Sequence, residues 1–247
     1  MKYLLLCAVL FAGGTVQSMT GIGYGMICMT FMTMVFPYIP VMLSLKVLNL
    51  SFSLPVILFH WKKIRWDILA TPVLFSLVGS WIAKQLLFRV DERVLKIYLG
   101  FLIAAVALWG ILSRSQKRMK EGPVKGAVCG VLTGFFSGSG SIAGPTVSMY
   151  YLNIQALSED KEAYYATTIM TFQLISMYQF VTIGITEGIP PETWRFILMG
   201  ILPTVAGVAV GKKLYGKIDE KAVRRLTYLV MLIAGTLMAV LNLKGTA

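Results

Sequence analysis

Acidic residues are scarce in this chain, and none falls well inside an apolar run. The 247 residues contain 11 Asp and Glu, and the single histidine, His60, stands beside Lys62 and Lys63. A proton relay or a tight cation site within a membrane needs an ionisable side chain inside the apolar segment. The sequence therefore argues against both.

Cysteine is equally rare. Cys7, Cys28 and Cys129 lie in apolar segments without paired spacing, so neither a disulfide framework nor a zinc site is predicted. A nucleotide-binding loop, paired carboxylates and a nucleophile elbow are also missing. We therefore expect no enzymatic activity, no catalytic residues, no metal and no other cofactor.

The chain contains few charged residues of either sign and several long apolar runs. Only 14% of the residues are charged and 57% are hydrophobic, whereas about a quarter of a soluble domain is charged. Six runs approach or reach the roughly 20 residues that cross a hydrocarbon core. They are residues 41–59, 68–87, 95–112, 163–185, 196–211 and 226–243. An all-α polytopic membrane protein embedded in a lipid bilayer is predicted.

The second half of the chain repeats the first. Residues 66–69 (WDIL) recur as residues 194–197 (WRFI), and residues 14–23 align more loosely with residues 134–143. We divide the chain into a first repeat (1–113), a basic linker (114–125) and a second repeat (126–247). Each repeat is predicted to be a Gly-rich broken-helix hairpin followed by three transmembrane helices. Many secondary transporters have such duplicated halves, with substrate held near the midplane where broken helices meet.

The net charge of +12 comes from Lys and Arg in short loops beside the predicted spans. Positive loops favour the cytoplasm, so this distribution predicts topology rather than nucleic-acid binding. It makes the two repeats inverted and puts both termini outside the cell membrane. Residues 1–11 are expected to be retained rather than cleaved as a signal peptide. Four cations oppose this orientation: Lys84, Arg89, Arg93 and Lys96.

The two hairpins carry clusters of glycine, serine and threonine that should break their helices. Freed amides at the start of the following half-helix suit an anion, and hydroxyl groups add donors without fixed charge. The clusters predict an oxyanion site where the repeats meet. Its candidate residues are Gln17, Ser18, Thr20, Gly21 and Gly23 in the first cluster, and Ser137, Gly138, Ser139, Ser141 and Gly144 in the second.

Two further candidates lie in the predicted spans. Lys46 is the sole charged residue well inside one of the six runs, where it either compensates an anion or extends to the membrane interface. Gln173 lies in the equivalent span of the second repeat. It either helps to complete a polar cavity or ties helices together.

Residues 14–25 (GTVQSMTGIGYG), 134–138 (GFFSG) and 142–145 (IAGP) resemble the two Gly-rich motifs of the sulfite exporter TauE/SafE family of bacterial membrane permeases. The resemblance extends over nearly the whole chain. It implies transport, often export, of sulfur-containing or carboxylate organic anions across the cell membrane. Ser141 and Ala143 stand where the family commonly has glycine.

The sequence thus predicts a secondary transporter of small organic anions that works by alternating access. Two alternatives stay open: a passive anion channel, and a membrane anchor or accessory subunit that binds a partner through its basic cytoplasmic loops. Assembly as a homo-oligomer is compatible with each of them.

Overall fold

A computed structural model describes residues 2–20, 23–112, 122–214 and 220–244, which form α-helices joined by short turns. The helices of the first half are α1 Lys2–Thr20, α2 Tyr24–Met32, α3 Tyr38–Leu48, α4 Leu50–His60, α5 Trp66–Arg89 and α6 Glu92–Leu112. Those of the second half are α7 Pro123–Gly140, α8 Gly144–Leu152, α9 Gln155–Ser158, α10 Lys161–Thr186, α11 Pro191–Leu214 and α12 Glu220–Lys244. A single 3₁₀ turn in the described chain, Trp61–Lys63, follows α4.

Seven helical segments of the described chain are long and apolar enough to cross a membrane. They are Lys2–Met19, Tyr38–Lys63, Trp66–Arg89, Glu92–Leu112, Lys161–Thr186, Pro191–Leu214 and Arg225–Leu243. All six predicted runs fall within them, and the seventh segment is the first arm of the first hairpin. The prediction of an all-helical polytopic membrane protein is confirmed.

Both Gly-rich segments interrupt a helix. In the first hairpin α1 ends at Thr20 and α2 begins at Tyr24, while in the second α7 ends at Gly140 and α8 begins at Gly144. The helices α2 and α8 that follow the breaks have nine residues each. This is too short to cross a hydrocarbon core.

The predicted span over residues 41–59 is confirmed as part of the membrane-crossing segment Tyr38–Lys63. This stretch contains two helices, α3 and α4, which meet at Asn49. Asn competes with the helical backbone for hydrogen bonds. Pro55, inside α4, cannot donate a backbone hydrogen bond to the preceding turn and so weakens a continuous helix.

The chain forms two compact units, and neither coincides with a sequence repeat. The first unit consists of Met1–Leu48, Leu87–Ser113 and Pro190–Ala247, and the second of Asn49–Leu86 and Arg114–Ile189. Each unit therefore combines helices from both repeats.

Glycine allows the helices within each unit to approach closely. In the first unit a Cβ added at Gly207 of α11 would collide with the carbonyl oxygen of Phe11 in α1. In the second a Cβ at Gly79 of α5 would collide with the carbonyl oxygen of Val131 in α7. Gly79 and Gly207 are equivalent positions of the sequence repeat, and small residues at such contacts are typical of helix packing in lipid. Both units thus contain the same type of helix pair, while the inverted orientation of the repeats stays a prediction.

The helix α10, which carries Gln173, starts at a well-defined cap. The side chain of Asp160 accepts hydrogen bonds from the backbone N–H groups of Glu162 (3.0 Å) and Ala163 (3.1 Å). These bonds satisfy amides that the first turn of a helix leaves free. The start of α10 is thereby fixed.

Candidate functional site

At the first helix break, a side chain of α1 hydrogen bonds to the backbone at the start of α2. Gly23, just before α2, has a φ of 125°, a conformation that glycine adopts without strain. The buried Gln17 accepts a hydrogen bond through Oε1 from the backbone N–H of Tyr24, at 3.0 Å. One amide at the start of α2 is therefore already used by the protein.

Ser18 lies at a contact between helices. Its hydroxyl hydrogen bonds to the carbonyl oxygens of Thr15 and Val208, each at 3.2 Å, and so ties α1 to α11. Nearby, the Tyr24 hydroxyl and Thr204 Oγ1 are 3.0 Å apart. The side chain of Thr20 and the whole of Gly21 lie outside the described residues.

The second helix break is built around a strained residue. Ser141 follows α7 with a φ of 55°, in the left-handed region, and its backbone N–H bonds to the carbonyl oxygen of Ser137 at 2.9 Å. Ile142 N–H bonds to Phe136 O at 3.2 Å, which completes the helix end. This conformation favours glycine. The buried Ser141 Oγ has no hydrogen-bond partner among the described residues.

A hydrogen-bonded cluster around Gln179 supports the end of α7. Gln179 Oε1 accepts from the hydroxyl of Ser137 (3.0 Å), and Nε2 donates to Ser80 Oγ (2.7 Å) and to the carbonyl oxygen of Gly134 (3.0 Å). Gln179 is 3% exposed. Ser137 therefore belongs to a packing network that joins α5, α7 and α10. The position of Gln179 in an apolar run indicated such a role. Nothing in the sequence indicated that Ser80 would be its partner.

The remaining candidates of the second cluster, Gly138, Ser139 and Gly144, have different structural surroundings. A Cβ at Gly138 would lie 2.6 Å from the Cβ of Ala83, so this glycine permits close contact with α5. Ser139 donates to the carbonyl oxygen of Phe135 at 2.8 Å within α7. Gly144 is the first residue of α8.

Among the described residues, the side-chain amide of Gln173 is hydrogen bonded through its oxygen but not through its nitrogen. Its Oε1 accepts a hydrogen bond of 2.6 Å from the hydroxyl of Ser53 in α4. Its Nε2, which carries two N–H donors, has no partner within the described chain. The side chain is 6% exposed, so an unused donor is buried in the second unit.

Lys46 lies in α3 of the first unit. Only 2% of its surface is exposed, and it is the only charged side chain that is buried among the described residues. Such burial differs from that of a lysine whose ammonium group extends to an interface. In its protonated form, a buried lysine provides positive potential inside an apolar segment.

The first unit contains the buried Lys46, and the second contains the uncharged donors of Ser141 and Gln173. No group of three side chains suited to a metal ion occurs in the described ranges. The donors can bind an anion by hydrogen bonding, but the arrangement provides no evident nucleophile with a base beside it.

The family model for the sulfite exporter TauE/SafE matches residues 5–238. The chain belongs to the TauE/SafE family. It is also 25% identical, over 252 residues, to a protein of Methanocaldococcus jannaschii described as a probable membrane transporter protein. That alignment covers 95% of this chain and 94% of the relative. This TauE/SafE protein is accordingly a membrane transporter, and no solved structure matches it.

Proposed function

We propose that this TauE/SafE protein is a secondary transporter that exports small sulfur-containing or carboxylate organic anions by alternating access. The observation that carries the proposal is the pair of broken helices, each leading into a nine-residue helix. Non-helical backbone at membrane depth is tolerated where protein buries it or where it lines an aqueous cavity. Broken helices in transporters hold substrate at this depth.

The polar groups of the described chain favour an anion as cargo. Lys46 is the buried basic side chain of the described residues, while Gln173 and Ser141 supply uncharged donors. Neutral donors bind an anion without the strong attraction of a second fixed charge, which suits a carrier that must release its substrate. That both breaks contribute to one substrate site stays a prediction.

We also propose a cell-membrane location with both termini outside. Of the four cations that oppose this orientation, three have local partners. Lys84 pairs with Glu187 and Lys96 with Glu92, each at 3.0 Å, and Arg93 Nε donates to the carbonyl oxygen of Asn242 at 2.6 Å. Paired cations contribute less unbalanced positive charge to an outer loop. Reporter fusions at the C-terminus that are active only outside or only inside the cell would test the orientation.

The transport mechanism is tested by counterflow in proteoliposomes. Vesicles that contain the purified protein are loaded with unlabelled sulfite, sulfoacetate, taurine, lactate or chloride, and uptake of labelled sulfite or sulfoacetate is followed. A carrier predicts that the transported anion accelerates uptake when it is present on the opposite side. Uptake without such acceleration would favour the channel.

Absence of anion flux would contradict the proposal and favour the anchoring alternative. Most of the basic linker that would serve as an anchor, residues 114–121, lies outside the described residues. Replacing its Lys and Arg by Gln provides the discriminating variant. An anchor would lose its partner, whereas a transporter would keep its flux.

A further inference from the structure

Two glutamines of α10 differ in how many hydrogen bonds their side-chain amides form. Gln179 forms three hydrogen bonds through its amide oxygen and nitrogen and is saturated by protein groups. Gln173, on the same helix, uses its oxygen to accept from Ser53 and leaves its amide nitrogen without a partner in the described chain. The first glutamine is structural, and the second retains donor capacity.

The position of Gln173 fits a substrate contact. It is the thirteenth of the 26 residues of α10, so a rise of 1.5 Å per residue puts it about 18–20 Å from either helix end. This is near the middle of a membrane-crossing helix. Transporters of duplicated design hold their substrates at this depth.

The amide nitrogen of Gln173 is buried, so its lack of a partner among the described residues is energetically unfavourable. Ser53 is 1% exposed and Gln173 is 6% exposed, so water does not freely replace the missing partner. A buried polar group without a partner is destabilising, and most buried polar groups are hydrogen bonded. Two hydroxyl groups of the same unit, Ser148 Oγ and Thr168 Oγ1, also have no partner within the described residues. The second unit therefore contains several uncharged groups able to donate to a ligand.

We propose that the amide nitrogen of Gln173 binds the transported anion and that Ser53 is the positioning residue that makes Gln173 a donor. Because the Ser53 hydroxyl occupies Oε1, the amide cannot readily turn this oxygen towards a ligand. Only the N–H groups are then presented, and these bind sulfonate, sulfite or carboxylate oxygens but not an ammonium group. The inference rests on the proposed function and names the residues that give that function its selectivity.

The test measures uptake of labelled sulfite and sulfoacetate into proteoliposomes for Gln173→Met, Gln173→Glu, Ser53→Ala and Ser53→Thr. Gln173→Met removes the donors at similar length, and Gln173→Glu replaces them with an acceptor. Since hydrogen bonds to charged groups are strong, both variants should raise KM for the anion about 10-fold to 100-fold. A folded Gln173→Met protein with the KM of wild type would overturn the proposal.

The Ser53 variants separate positioning from stability. Ser53→Ala should raise KM several-fold with little change in maximal rate, and Ser53→Thr, which keeps the hydroxyl, should restore it. Ser44→Ala is the matched control, because Ser44 is also buried but its hydroxyl bonds within α3 to Val41 O at 2.8 Å. An equal effect of Ser44→Ala, or failure of Ser53→Thr to restore KM, would refute the role of Ser53.

A double variant provides the final check. If Ser53 acts through Gln173, Ser53→Ala should have no further effect on KM once Gln173→Met is present. Independent effects would exclude the positioning role. Absence of anion flux in the wild-type protein would reject the proposed function itself, whereas normal flux in wild type and Gln173→Met alike would reject this inference alone.

Discussion

The carbonyl oxygen of Phe11 occupies the space into which a side chain at Gly207 would extend. This contact holds α1 against α11 and has an equivalent at Gly79 and Val131 in the second unit. Two backbones can approach so closely only where the residue that faces the carbonyl oxygen has no Cβ.

Gly207→Ala and Gly79→Ala should therefore destabilise the protein. Overpacking at a close helix contact costs about 1–3 kcal/mol, so each variant should unfold at a lower temperature in detergent. Gly122→Ala is the control, because no described atom would lie within 4 Å of its Cβ. Unfolding of either variant at the temperature of the control would contradict the packing argument.

Replacing Gln179 by leucine should loosen the end of α7. The change leaves Ser137, Ser80 and the carbonyl oxygen of Gly134 without their shared partner, at a cost of about 1–3 kcal/mol for a buried unsatisfied group. Thermal unfolding measures this cost. Gln155→Leu is the control, since the side-chain amide of Gln155 donates to Glu159 at an exposed position. Equal stability of the two variants would show that the cluster contributes little.

Ser141→Gly should stabilise the fold. A residue other than glycine in the left-handed region is strained, and relief of this strain is worth about 1 kcal/mol. Ser141→Ala removes the same hydroxyl but keeps the strain, so it should show no gain in unfolding temperature. If the alanine variant is stabilised as much as the glycine variant, the cause is the buried hydroxyl and not the backbone.

Lys46→Met should increase stability and reduce anion transport. The substitution keeps much of the side-chain length but removes a buried charge, which is costly within a membrane. We expect a higher unfolding temperature together with slower uptake of labelled sulfite or sulfoacetate. Lys62→Met, at an exposed position, should change neither. Unchanged uptake in folded Lys46→Met protein would remove this residue from the mechanism.

Asp160 should make the stability of the protein sensitive to acid. Its pKa lies below the usual value because the backbone N–H of Ala163 and the ammonium group of Lys63 stabilise the carboxylate. A lowered pKa in the folded state gives stability that is complete above the unfolded pKa of about 3.9 and is lost as pH falls through the folded pKa. The advantage of wild type over Asp160→Asn in thermal unfolding should therefore be present at pH 7 and disappear in strong acid. An advantage that persists unchanged at the lowest pH would contradict this role of the charge.

The sequence predicted the helices well, because long apolar runs and glycine clusters are local signals. It located both helix breaks, and all six predicted runs lie within the candidate membrane-crossing segments of the described chain. It missed the interruption at Asn49, where a long apolar run concealed the weak helix preference of Asn and Pro. It also could not predict that helices of the two repeats combine within each unit, because this exchange depends on tertiary contacts.

The sequence named candidate residues for a site, which stays a prediction, but it did not show which contacts each of them makes. In the sequence, Gln179, whose amide oxygen and nitrogen are both hydrogen bonded, looks the same as Gln173, whose amide nitrogen has no partner among the described residues. Only the contacts distinguish them, and those contacts come from Ser80 and Ser53, which are distant in sequence. Ser18 likewise looked like a ligand donor, yet its hydroxyl bonds to the backbone of α11.

The exchange of helices between the repeats has a consequence for biosynthesis. In the first unit α1 packs against α11, which begins only at Pro191, and in the second unit α5 packs against α7, which follows it in the chain. Neither unit can complete its core from the first half of the chain. A nascent chain that stalls after α6 therefore leaves glycine-lined helix faces open to the quality-control machinery of the membrane.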